Sequence, residues 1–79
     1  MMNIYVGNLP YQMSNGDLKV LFNIFGRVKS IRLIKDRFIY KSRGFGFINM
    51  PLKKNALAAI KHLNRKIFFK QVIEVNEII

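Results

Sequence analysis

The octamer Arg43-Gly44-Phe45-Gly46-Phe47-Ile48-Asn49-Met50 sets the tightest condition on any fold for this chain. Extended, it sends Arg43, Phe45, Phe47 and Asn49 to one side and Gly44, Gly46, Ile48 and Met50 to the other. The second side is small and aliphatic, so it suits a core, and its two glycines let a neighbouring element come very close. The first side carries two large aromatics and a guanidinium. A strand of this kind belongs in a sheet covered on one face, with the aromatic face left for solvent or for a ligand that stacks and carries negative charge.

The rest of the chain supplies the covering layer. Asn3 to Leu9 alternates, with Ile4 and Val6 facing one way and Tyr5 and Gly7 the other, and Gly7-Asn8-Leu9-Pro10 ends that strand. Ser14 followed three residues later by Asp17 reads as a helix N-cap. Leu18, Leu21, Phe22 and Phe25 then recur at helical spacing and Gly26 suits the stop, which predicts a helix over 14–25. Val28 to Lys35 is strand-like, with Ile31 and Leu33 on one face and Ser30, Arg32 and Ile34 on the other; residues 36–42 form a loop before the octamer. After Pro51, a stripe of Ala56, Ala59, Ile60 and Leu63 predicts a second helix over 53–63, with the alanines close to the sheet opposite Gly44 and Gly46. Val72 to Asn76 is the last strand, Ile73 and Val75 inward and Glu74 and Asn76 outward. The order is βαββαβ. Two helices on one face of a four-stranded antiparallel sheet bury every apolar stripe, which makes this an α+β, ferredoxin-like sandwich with one open sheet face. Residues 1–79 are expected to form one such domain.

Composition narrows the function. The chain has no cysteine, one histidine and four acids, so neither a zinc thiolate site nor a nucleophile–base or carboxylate pair can be assembled. No catalytic residue, metal or cofactor is expected. No apolar run is long enough to span a membrane, and an intracellular, cytoplasmic setting is expected, with the nucleus also open. Fourteen Lys and Arg give a net charge of +10, more than solubility asks of so small a domain. Seven of the fourteen lie between Arg27 and Arg43, against one acid, Asp36. A polyanion is the partner this implies. Heavy use of Asn, Ile, Lys, Phe and Tyr points to an AT-rich genome, bacterial or organellar.

In a ferredoxin-like sheet the first and third strands are central neighbours, so Tyr5 joins Phe45 and Phe47 in one aromatic platform. IYVGNL at 4–9 resembles the hexamer motif of the RNA recognition motif family, and RGFGFINM at 43–50 resembles its octamer; the first-helix pattern from Leu18 to Gly26 matches as well. The resemblance implies that Tyr5 and Phe47 each stack on a base, that Phe45 inserts between sugars and that Arg43 pairs with a phosphate. It also implies that Ser30, Arg32, Glu74 and Asn76 flank the platform and tune which bases are accepted. Asn3, Lys41 and Asn49 complete the candidate set. Three departures stand out. Met50 replaces the usual final aromatic but has inward parity, the 36–40 loop lacks the family's glycine, and Arg65 and Lys70 replace common glycines before the last strand.

The expected partner is single-stranded RNA, with single-stranded DNA as an alternative because stacking and phosphate contacts serve both. The implied role is a post-transcriptional regulator or RNA chaperone. A protein-interaction module on the same fold is the other alternative, but such members usually lose the platform aromatics. The chain is expected to be a monomer. Phe38, Ile39 and Tyr40, in a basic loop, pack on the domain's own edge, meet a partner chain or clamp RNA; packing or weak self-association is favoured.

Overall fold

Alternation carries the chain straight into a sheet. The computed structural model describes residues 2–35 and 44–79. Strand β1, Met2–Leu9, buries Met2, Ile4 and Val6 and turns Asn3 and Tyr5 to the opposite side. Strands β2 (Ser30–Ile34) and β3 (Gly44–Met50) follow the first helix. β3 lies antiparallel between β2 and β1, with Tyr5 opposite Phe47 and Arg32 opposite Phe47 from the other side. The expected central pairing of the first and third strands therefore holds, as does the inward placement of Met50, which is fully buried.

Helix α1 runs Asn15–Asn23 and buries Leu18 and Phe22. Its start is a complete capping box: the Asp17 amide donates to Ser14 Oγ at 3.1 Å, and the Ser14 amide donates to Asp17 Oδ2 at 2.9 Å. The helix ends two residues before the expected Phe25. There the Phe25 amide donates to the Phe22 carbonyl in a tighter turn, and Gly26 takes φ 149°, which no side-chain-bearing residue adopts readily. Helix α2 spans Lys53–Leu63 as expected and buries Ala56, Ala59 and Leu63. His62, beside that stripe, is exposed and stacks on Phe25 at 5.5 Å. α1 packs over β2, and α2 over β1 and β3. No helix among the described residues is long and apolar enough to cross a membrane.

Three expectations need correction. The second strand is shorter than 28–35, because Val28 and Lys29 precede its ladder, although the Lys29 amide still donates to the Asn49 carbonyl. The glycines of β3 face a different neighbour from the one expected. A Cβ on Gly46 would lie 2.9 Å from the Arg32 carbonyl oxygen, and one on Gly44 would lie 3.3 Å from that of Ile34. Both oxygens belong to β2, so the nearest neighbour the glycines admit is the backbone of the adjacent strand. The last correction concerns 72–76. Ile67–Phe68 (β4) and Gln71–Val72 (β5) pair as a small separate hairpin, and the fourth strand of the main sheet is β6, Glu74–Glu77. Ile73 links the two: its amide donates to the Lys66 carbonyl and its carbonyl accepts from the Arg65 amide. The inward and outward assignments survive, since Ile73 and Val75 are fully buried and Glu74 and Asn76 are exposed. The main sheet has the order β2-β3-β1-β6 with both helices on its apolar face, the ferredoxin-like arrangement.

The hairpin turn explains one departure noted above. Phe69 and Lys70 connect β4 to β5 with φ of 49° and 66°, the two positive values of a type I′ turn, and Arg65 has φ 68°. Arg65 and Lys70 thus keep glycine-like backbone while carrying long side chains. A left-handed residue with a Cβ costs roughly 1–2 kcal/mol, partly offset by the greater unfolded-state freedom of glycine. Lys70→Gly is therefore expected to stabilise the domain by about 0.5–1 kcal/mol, a rise of roughly 2–8 °C in melting temperature by circular dichroism. An unchanged or lower midpoint would show that the Lys70 side chain supports the hairpin in some other way.

Candidate nucleic-acid interface

The open sheet face is ordered in rows set by strand register. One row runs Arg32–Phe47–Tyr5–Asn76 across all four strands. A second contains Ser30, Asn49 and Asn3, where Asn49 Nδ2 donates to Asn3 Oδ1 at 2.7 Å. A third sets Ile34 against Phe45 and, on the far side of β1, Gly7 against Glu74. Tyr5, Phe45 and Phe47 form a triangle of rings: Tyr5 and Phe45 are near-parallel with centroids 6.3 Å apart, and Phe47 stands edge-on to both at 6.1 and 5.9 Å. Phe45 and Phe47 remain 37% and 38% exposed, so both stay open to a ligand while packed against the other rings.

Two features that seat these rings were not read from the sequence. The first is Gly7. A Cβ there would meet Tyr5 Oη at 2.5 Å and Cζ at 2.8 Å, so the Tyr5 ring lies down along β1 over the space glycine leaves. The second is a β-bulge. The β1–β3 register shifts between Val6 and Leu9, so Gly7 and Asn8 together oppose Phe45. Asn8 takes φ 56° there. The extra residue reverses the parity of β1, which buries Leu9 although strict alternation would place it with Tyr5. The Gly-Asn pair at 7–8 is the available signal, and it also reads as an ordinary strand end.

Asn8 also ties the small hairpin to the sheet. Its Nδ2 donates to the Val72 carbonyl at 2.6 Å, and its own carbonyl accepts from Gln71 Nε2 at 3.2 Å. Asn64 Oδ1 accepts from the Val75 amide at 3.0 Å, holding β6 from the other end. Between these ties lies a polar cleft lined by Asn8, Asn64, Arg65, Val72, Glu74 and Asn76, at the β6 edge of the platform. Sequence reasoning placed Glu74 and Asn76 there but missed Asn8, Asn64 and Arg65. Nine of the eleven expected site residues share the open face or its rim: Asn3, Tyr5, Ser30, Arg32, Phe45, Phe47, Asn49, Glu74 and Asn76. Lys41 and Arg43 lie outside the described residues, as do Phe38, Ile39 and Tyr40.

A half-covered sheet showing three aromatic rings in a basic chain is the arrangement for which the family comparison is decisive. The RNA recognition motif model matches residues 4–74. The chain belongs to the RNA recognition motif family. The cyanobacterial protein RbpA of Synechocystis sp. is 38% identical over 76 residues, which cover 96% of this chain and 75% of that protein. The chloroplast RNA-binding protein CP31B of Arabidopsis thaliana is 40% identical over 73 residues, 92% of this chain but only 25% of that protein. Among solved structures, RNA Binding Protein PG1 superposes with a TM-score of 0.86 and 42% identity, covering 99% of this chain and 94% of that one. The matched span of the RNA recognition motif holds the two central strands, both helices and the Glu74 rim.

Proposed function

We propose that this RNA recognition motif binds single-stranded RNA of a few nucleotides across its open sheet face. The observation that carries the reading is the Tyr5–Phe45–Phe47 triangle, exposed on the side of the sheet that no helix covers. Bases stack on Tyr5 and Phe47, Phe45 packs against sugar, Arg43 with neighbouring cations meets phosphates, and Arg32 flanks the platform. The polar row of Ser30, Asn49 and Asn3 offers hydrogen bonds beside the platform. No step of this reading involves chemistry on the RNA. It accords with a cytoplasmic regulator or RNA chaperone that acts as a monomer by holding strands open or covering them.

Titration of the protein with random-sequence RNA and, in parallel, random-sequence single-stranded DNA tests this directly. Binding that neutralises three or four phosphates should weaken with salt at a slope of roughly −2 to −3 in log K against log salt. RNA is expected to bind more tightly than DNA wherever the polar row reaches 2′-hydroxyls. Absence of RNA binding at low salt would overturn the proposal and favour a protein partner on the same face.

A further inference from the structure

The Tyr5 ring is asymmetrically placed, and that asymmetry bears on which base it takes. On one flank stand Phe47 and Phe45, which offer a base no hydrogen bonds. On the other flank the register partners are Asn76, opposite Tyr5, and Glu74, opposite Gly7. Because the Tyr5 ring lies over Gly7, a base stacked on it sits level with both of these residues. Across β1 from the aromatic flank, the hydrogen-bonding groups available to its polar edge are those of the β6-side cleft already described, while Asn3 and Asn49 are bonded to each other.

Within that cleft Asn8 and Asn64 are committed to holding backbone. Glu74 and Asn76 are exposed, and among the described residues neither side chain has a hydrogen-bond partner. Glu74 is also the only acid on the open face among the described residues. Asp17 is used in the α1 cap, and Glu77 pairs opposite buried Ile4, on the helix side. A carboxylate on a surface that meets phosphates repels the backbone of its ligand; Arg65, in the same cleft, tempers that charge, and a base that supplies donors to the carboxylate turns it into a contact. An ionised carboxylate is acceptor-only and takes two parallel donors.

We infer that the base stacked on Tyr5 is guanine, read along its Watson–Crick edge by Glu74 and Asn76. Guanine alone presents two adjacent donors, N1–H and the 2-amino group, to match the two carboxylate oxygens, with O6 beside them to accept from the Asn76 amide. Adenine and cytosine each set a ring-nitrogen acceptor against the carboxylate, and uracil flanks its single N–H with two carbonyls. This rests on the sheet being an RNA platform and adds to it the identity of one base.

The test uses fluorescence anisotropy with labelled pentamers that differ only at the centre: UUGUU, UUAUU, UUCUU, UUUUU and the inosine form of the first, which lacks the 2-amino group. UUGUU is expected to bind about tenfold more tightly than the other three standard pentamers, and inosine to lose several-fold. Glu74→Gln, with folding checked by circular dichroism, should shrink the guanine margin to under about threefold and abolish the difference between guanine and inosine. UUUUU should gain affinity in that variant, because a negative charge leaves the face. Equal binding of the four standard pentamers, or a guanine preference and inosine penalty that survive Glu74→Gln, would overturn the guanine assignment while leaving RNA binding intact. If no pentamer binds, the platform reading fails and the assignment falls with it.

Discussion

Replacing Phe45 and Phe47 together with alanine is expected to weaken binding to short single-stranded RNA by about 100-fold, at roughly 1–3 kcal/mol per stacked base. The same change should lower the melting temperature by only a few degrees. The two rings lie on the helix-free side of β3 and are more than a third exposed. Their mutual contact at 5.9 Å, edge to face, contributes on the order of 0.5–1.5 kcal/mol beyond area burial. The residues between and beside them, Gly44, Gly46 and Ile48, stay buried against β2 and the core whatever occupies the open face. Binding and folding should therefore separate in this variant. Titration against a short RNA and a thermal melt, run on the same preparation, check it. A collapsed fold with unchanged affinity per folded molecule would show that these rings serve the core and not a ligand.

The same separation explains what the sequence made legible. Each strand that feeds the core has a period of two, so the faces of Ile4, Val6, Ile48, Met50, Ile73 and Val75 could be read directly, and all six are buried. The capping box at Ser14 and Asp17 and the stripe Ala56–Ala59–Leu63 were equally plain, because caps and helical stripes are local patterns. What escaped was set by partners distant in sequence. The bulge at Gly7–Asn8 exists only relative to Phe45, and its one local signal, the Gly-Asn pair, reads equally as a strand end. The hairpin over 67–72 lacked its usual signature, since Phe69 and Lys70 occupy the turn where Asn-Gly would mark it. Tyr5 was assigned to the platform from parity, but its tilt over Gly7 depends on the space one glycine leaves. The cleft at the β6 edge needed all three: the bulge that turns Asn8, the hairpin that Asn8 holds and the strand that Asn64 anchors.

On the opposite side of the sheet the expected result is reversed. Phe22→Ala should destabilise the domain by about 3–5 kcal/mol, the usual cost of deleting a fully buried aromatic and leaving part of its cavity. Phe22 is wholly inaccessible and is the largest such side chain among the described residues, while α1 buries only Leu18 besides it. A small domain has about 5–10 kcal/mol to lose, so a drop of roughly 15–30 °C in the melting temperature follows. The open face is built by all four strands of the main sheet, and α1 packs on the opposite side, over β2, so molecules that remain folded at low temperature should keep their RNA affinity. RNA that binds only the folded form should in turn restore stability, by about 2.7 kcal/mol at a free concentration one hundred times its dissociation constant. A melt of Phe22→Ala with and without saturating RNA measures both effects. Loss of affinity in the folded fraction would mean that α1 packing sets the platform geometry, and an RNA-independent midpoint would mean that the ligand does not distinguish folded from unfolded chain.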